Sequence, residues 1–198
     1  MQDRLPPSPD AQADLDPRVL RTRGLIEDAF RELLSEKSLQ SMTVSDITTR
    51  ATINRATFYS HFQDKFELFE YMIAKSFREM LRARFSTPCG FSIENLEILI
   101  ETVRDFLSDH MRSCTPGQQQ FHPSVFQQVQ SQIETLARHW LEASIDEHET
   151  GTAAAMLSWA ILGAGIKGNE QSQGHDLDVN VVSQFLTDGL TGLGYALD

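Results

Sequence analysis

Between residues 43 and 67 the chain carries three helix starts in quick succession, and this crowding constrains the fold more than any other feature. Thr43 followed three residues later by Asp46 is a capping-box pattern, with Met42 and Ile47 at the two positions of a hydrophobic staple. Asn54 is a favoured N-cap, and Ile53 and Phe58 stand at its staple positions. Asp64 with Glu67 repeats the box. Starts this close cannot belong to one rod. They require a short helix ending near Ala51, a turn of about three residues, a second short helix, and a third, longer helix through Leu68, Phe69, Met72, Ile73, Phe77 and Leu81 to about Phe85.

A first amphipathic helix precedes them: from Arg18 on, Val19, Leu20, Leu25, Ile26, Ala29, Phe30, Leu33 and Leu34 recur at helical spacing as one apolar stripe. Residues 1–16, with three prolines and four aspartates, read as a disordered leader. Thr87-Pro88-Cys89-Gly90 is a strong break. Beyond it the pattern predicts helices over about 92–112, 123–148, 151–168 and 178–195, with breaks at Thr115-Pro116-Gly117 and in the polar loop 169–177. No period-two run exceeds four or five residues, so the fold class is all-α. The domains expected are a leader (1–16), a helix-turn-helix domain (17–64) and a helical remainder (65–198) in which the helix of 65–85 is the connector.

The 198 residues carry a net charge of −11, which taken alone argues against a nucleic-acid partner. The charge is unevenly placed. Residues 18–65 hold 8 basic and 6 acidic side chains, whereas 66–198 hold 8 and 18. A mildly basic block thus precedes a strongly acidic remainder, which suggests two jobs. The acidic remainder fits a solvated face better than a cation-binding one. The start has neither a basic nor an apolar signal region. The longest apolar stretch, Ala153 to Ile166, is too short to span a bilayer. Cys89 and Cys114 are too few for a disulfide framework, and the compartment expected is the cytoplasm. His110 and Cys114 stand one helical turn apart, but two ligands alone do not make a metal site, and none is expected. No GxSxG, P-loop, GxGxxG or HExxH motif is present, and no catalytic constellation stands out, so an enzyme is not expected. No cofactor is implied.

Two short helices joined by a tight turn and held by a third are the arrangement that lays one helix across a DNA backbone and puts the next into the major groove. At 100° per residue Phe58 and Phe62 share an inner face, leaving Ala56, Thr57, Tyr59 and Ser60 on the other side. Arg55 can reach a guanine edge or a phosphate. The helix starts at Thr43, Asn54 and Lys65 offer free N–H groups to phosphate. Arg21 and Arg23, just ahead of the first helix, can lie along the backbone or in the minor groove, and His61 adds a donor.

The stretch RTRGLIEDAFRELLSEKSLQSMTVSDITTRATINRATFYSHFQDKFELF, Arg21 to Phe69, resembles the DNA-binding domain of the TetR family of bacterial transcriptional regulators. Thr43, Ile47, Ala51, Ile53, the Thr57-Phe58-Tyr59 run, His61-Phe62 and Lys65 are in register. The resemblance implies phosphate contact by Thr43, Tyr59, His61 and Lys65, base reading by Arg55, Ala56 and Thr57, and a contribution from Ser45. Three positions depart from the family pattern: Thr52 stands where glycine is usual, Thr48 where alanine is, and Asn54 where serine or threonine is. Thr52 is expected to adopt a slightly different turn.

The resemblance further implies about nine helices, a homodimer on a palindromic double-stranded DNA operator, and a small-molecule effector. The dimer face would lie on the last two helices, through Ala154, Leu157, Ile161, Ala164, Val182, Phe185, Leu186 and Leu190. Phe106, His110, Phe126, Trp140 and Trp159 either line an effector pocket or pack the core; both readings stand. The competing function is a ligand-independent module of the same fold with an architectural or protein-recruiting role.

Overall fold

A computed structural model describes residues 16–85, 90–113, 121–142, 147–170, 178–192 and 194. The described residues form eight helices and no strand: α1 (Pro17–Glu36), α2 (Val44–Arg50), α3 (Arg55–Tyr59), α4 (Lys65–Arg84), α5 (Ile93–Ser113), α6 (His122–Leu141), α7 (Glu147–Glu170) and α8 (Val179–Gly192). The leader up to Leu15, both cysteines, the breaks at Thr87 and Thr115, His175-Asp176 and Leu193 lie outside the described residues.

Two compact units divide the chain. The first holds residues 16–75 and 121–125, and the second 76–113 and 126–194. The division falls within α4, between Lys75 and Ser76, rather than at its start.

In the first unit each expected cap forms. Asp16 accepts the Arg18 N–H at 2.8 Å, with Pro17 at the first helical position, so α1 begins directly on that cap. Arg21 and Arg23 are therefore inside α1, not ahead of it. Ile26, Ala29, Phe30 and Leu33 of α1 are buried with Leu39, Met42, Ile47, Ala51, Phe58, Phe62, Leu68 and Phe69. Leu25, placed on the same stripe from the sequence, faces solvent; the buried stripe instead includes Glu27. Phe121, at the foot of α6, sets its ring 5.9 Å from Phe66 and 5.8 Å from Phe69.

In the second unit the core is a run of leucine, isoleucine, valine and alanine from α5, α6 and α7, with Phe77 and Phe106 in ring contact at 5.1 Å. Gly165 permits the close approach of α7 to α5: a Cβ there would stand 2.9 Å from Val103 Cγ1 and 3.2 Å from Leu107 Cδ1. Gly163, two residues earlier, faces open space. Gln130 donates to the Ser158 hydroxyl at 2.9 Å in the α6–α7 contact, where both side chains are buried. The helix expected over 123–148 ends at Leu141, and α7 begins at Glu147 instead of 151. No glycine or proline lies between Leu141 and Glu147 to mark the break. Gly151, read from the sequence as a helix start, sits inside α7.

Candidate nucleic-acid interface

The interface is built from the caps outward. Thr43 closes a reciprocal capping box on α2: its hydroxyl accepts the Asp46 N–H at 3.1 Å, while the Asp46 carboxylate accepts from the Thr43 N–H and hydroxyl, each at 2.8 Å. Lys37 joins that carboxylate at 2.8 Å. The Lys37 hydrogen bond, then those of Thr43, hold the Asp46 carboxyl down at about 2. At the other end of α2, Arg50 grips Glu36 with two nitrogens at 2.9 Å and Glu32 at 3.0 Å, tying α2 to the end of α1. This pairing keeps Glu36 below its ordinary range and raises Arg50.

The turn between α2 and α3 is a Schellman motif. Ile53 N–H donates to Thr48 O at 3.0 Å and Thr52 N–H to Thr49 O at 3.3 Å. Thr52 occupies the left-handed position at φ 56°, the conformation a glycine would take. Threonine holds the glycine geometry, and its branched Cβ bears the steric cost. Buried Thr48 donates its hydroxyl back to Ser45 O at 3.2 Å.

Asn54 then caps α3, its Oδ1 accepting the Ala56 N–H at 3.0 Å. Phe58 and Phe62 are both buried, with ring centroids 6.0 Å apart, so they anchor the short helix from behind. Arg55, Ala56 and Tyr59 face solvent, and Thr57 is half-buried. Tyr59 is 56% exposed, with its ring edge-on to Phe58. This open tyrosine, one helical turn after the exposed Arg55 and with the exposed Ala56, gives the outer side of α3 a small surface of hydrogen-bonding and apolar groups.

Around that surface the remaining residues take varied positions. Thr43 and Arg21 are exposed, and Ser45 and His61 half-buried. Burial, then the nearby Arg23 charge, lowers the His61 pKa below the ordinary imidazole value. Lys65 donates to Gln40 O at 2.9 Å and Met42 O at 2.6 Å, lashing the start of α4 to the turn before α2. Arg23 carries its guanidinium over the rings of Phe62 and Tyr71, 5.5 and 4.9 Å from their centroids.

Two features escaped the sequence reading. Glu27 is only 4% exposed, and its carboxylate meets Lys75 Nζ at 2.5 Å, an ion pair between α1 and α4. A carboxylate flanked by Ile26 and Phe30 within an apolar stripe was the available signal. The ring stack on Arg23 had no such signal.

In the second unit, Phe106 and Trp140 are buried, Trp140 edge-on to both Phe85 and Phe91 at 6.2 and 6.0 Å. His110 and Phe126 are half-buried. Trp159 is 60% exposed, which removes it from an interior pocket. The residues expected at the dimer face need a similar correction. Ala154, Leu157, Ile161, Leu186 and Leu190 are buried in the chain's own core, and Ala164 and Val182 are half-buried. Phe185 is 75% exposed, and the side chains turned outward with it on α7 and α8 are Met156, Trp159 and Val181.

Residues 26–72 match the family model described as bacterial regulatory proteins, tetR family. An uncharacterized HTH-type transcriptional regulator of Bacillus subtilis, YxbF, is 29% identical over 183 residues, covering 88% of this chain and 46% of its own length. The dhaKLM operon transcriptional activator DhaS of Lactococcus lactis is 35% identical over 60 residues, 30% of this chain and 32% of its own. The chain spans about half the length of these curated relatives or less. Among solved structures, the TetR family repressor AlkX from Dietzia superposes with a TM-score of 0.54 at 17% identity, covering 85% of this chain and 97% of that one. A TetR-family regulator from Streptomyces coelicolor gives 0.52 at 15%, covering 90% and 97%. At such identities the likeness is one of fold.

Proposed function

We propose that the chain, whose residues 26–72 match the model for bacterial regulatory proteins of the tetR family, is a homodimeric, sequence-specific DNA-binding transcriptional regulator of that family in the cytoplasm, a repressor released from a palindromic operator by a small-molecule effector. The observation that carries the reading is α3: a capped helix with two buried phenylalanines behind it and Arg55, Ala56, Thr57 and Tyr59 toward the outside. Base edges are read by the first three of these, and phosphates by Thr43, Tyr59, His61 and Lys65, with Ser45 and Arg21 in support. Lys65 brings one remaining N–H, because its two carbonyl contacts leave a third proton.

Two readers need a two-fold. The exposed apolar side chains Met156, Trp159, Val181 and Phe185 support self-association through α7 and α8, since four large apolar groups open to water on two neighbouring helices are unusual for a monomer. Effector binding would act through α4, which contributes residues to both units, and the effector must prefer the released form for release to occur.

Selection of duplexes from a random pool tests the reading. The expected result is a palindrome with half-sites about one helical turn (~34 Å) apart; recovery of no preferred duplex would sink it. A reporter gene under that palindrome separates repression, in which deletion of the regulator raises expression, from the activation attributed to DhaS. A thermal-shift screen of small molecules, followed by operator release, separates an effector-responsive regulator from a ligand-independent module.

A further inference from the structure

Arg23 carries a positive charge near the presenting surface, yet its Nε and Nη1 atoms are shut off from solvent. Its guanidinium lies over two rings that themselves touch, Phe62 and Tyr71, whose centroids are 5.5 Å apart. Phe62 is in turn in ring contact with Phe58, the buried residue of α3. One helical turn along both partners, Glu27 of α1 meets Lys75 of α4. The spacing is the same on each side: 23 to 27 in α1 and 71 to 75 in α4. Two consecutive rungs, one cation on aromatic faces and one ion pair, therefore fix α1 and α4 in register, and the first also holds the ring that backs α3.

We propose that Arg23 is a positioning residue for DNA recognition: clasped over Phe62 and Tyr71 and braced by the Glu27–Lys75 pair, it sets the tilt at which α3 meets the groove and makes no phosphate contact of its own. The proposal rests on the DNA-binding function put forward above and replaces the backbone or minor-groove role that the sequence suggested for Arg23. A planar guanidinium suits this role and an ammonium does not, because only the former lies flat against rings while shedding its hydration cheaply.

The test compares the full-length wild type with Arg23→Lys, Arg23→Met and Tyr71→Leu on the selected operator and on random duplex, each across a salt series. The expected result is a loss of roughly tenfold in operator affinity for all three, with random-duplex affinity and the slope of log K against log salt unchanged. Circular dichroism and melting establish which variants are folded. Full affinity in Arg23→Lys overturns the proposal, because charge alone then suffices. So does a slope lowered by about 1 per subunit in Arg23→Met, the mark of a lost phosphate contact.

A readout without DNA guards against a variant that binds poorly through misfolding. In Arg23→Met the His61 ring should titrate at higher pH by NMR, since the neighbouring charge is gone, and an unmoved titration overturns the placement of Arg23. A wild type that prefers no duplex overturns the DNA-binding function and this proposal together. Wild-type binding with an unaffected, folded Tyr71→Leu overturns this proposal alone.

Discussion

Both units pair cations internally, the second through Arg84 and Arg104 with Asp105, Arg112 with Asp109 and Arg138 with Glu134, but they differ in net charge and in where their most exposed apolar side chains lie. In the first, cations are largely committed inside the unit: Lys37 to Asp46, Arg50 to Glu36 and Glu32, Lys65 to two carbonyls, Arg23 to two rings and Lys75 to Glu27. Its modest excess of positive charge thus serves construction before it serves a ligand. Arg21 and Arg55 extend into solvent. The second unit is acidic and holds its helices by aliphatic burial, while α7 and α8 leave Met156, Trp159, Val181 and Phe185 open to water. On the proposed function, a surface for phosphate would need few cations held accurately, and a surface for another copy of the chain would need exposed apolar area.

This contrast is sharpened first by Phe58→Ala in the first unit against Phe185→Ser in the second. Truncating a fully buried phenylalanine should cost about 3–5 kcal/mol, measured by denaturant unfolding, with loss of operator binding. Phe185→Ser should leave folding stability within about 0.5 kcal/mol per chain and instead shift the oligomeric state in sedimentation. Equal destabilisation by both would erase the distinction. Next in size, Gly165→Ala should cost about 1–3 kcal/mol through overpacking against Val103 and Leu107. Gly163→Ala, with nothing near the new methyl, should be neutral or gain up to about 1 kcal/mol from helix propensity.

In the first unit, relief of the left-handed threonine by Thr52→Gly should raise stability by about 1 kcal/mol. The gain falls below the full steric cost because glycine also enlarges the unfolded ensemble. A drop in stability would mean that the Thr52 side chain makes a compensating contact.

The smallest effect concerns acid. The Asp46 carboxyl is held at about 2 against an ordinary 3.8, so its contribution is complete above about pH 4 and disappears as pH falls toward 2. Asp46→Asn should therefore lower stability at neutral pH and flatten the stability curve between pH 4 and 2. An unchanged slope there would assign the acid response to other carboxylates.

The first unit was legible because its information is local. Thr43, Asn54 and Asp64 each satisfy backbone N–H groups two or three residues away, and such contacts leave a pattern in the sequence. The inward pair Phe58 and Phe62 follows from helical spacing for the same reason. The Glu27–Lys75 pair was not legible because its partners are 48 residues apart and only packing brings them together. Which side chains of α7 and α8 face outward was less legible, on a different ground. Helix α7 is apolar nearly all round, so periodicity could not say which of its faces the chain would keep for itself; Ala154, Leu157 and Ile161 went inward, and Trp159 outward. The end of α6 at Leu141 was missed because nothing in Glu142 to Asp146 forbids a helix.

If α3 reads DNA as proposed, its five-residue length limits how much text a single subunit can read. At 1.5 Å per residue it is about 7.5 Å long, little more than two steps of 3.4 Å along a strand. A word of two to four letters recurs constantly in any genome, so one subunit carries too little information to find an address. On the proposed function most of the selectivity would then reside in grammar: the fixed distance and mirrored order of two short words, and the bendability of the letters between them.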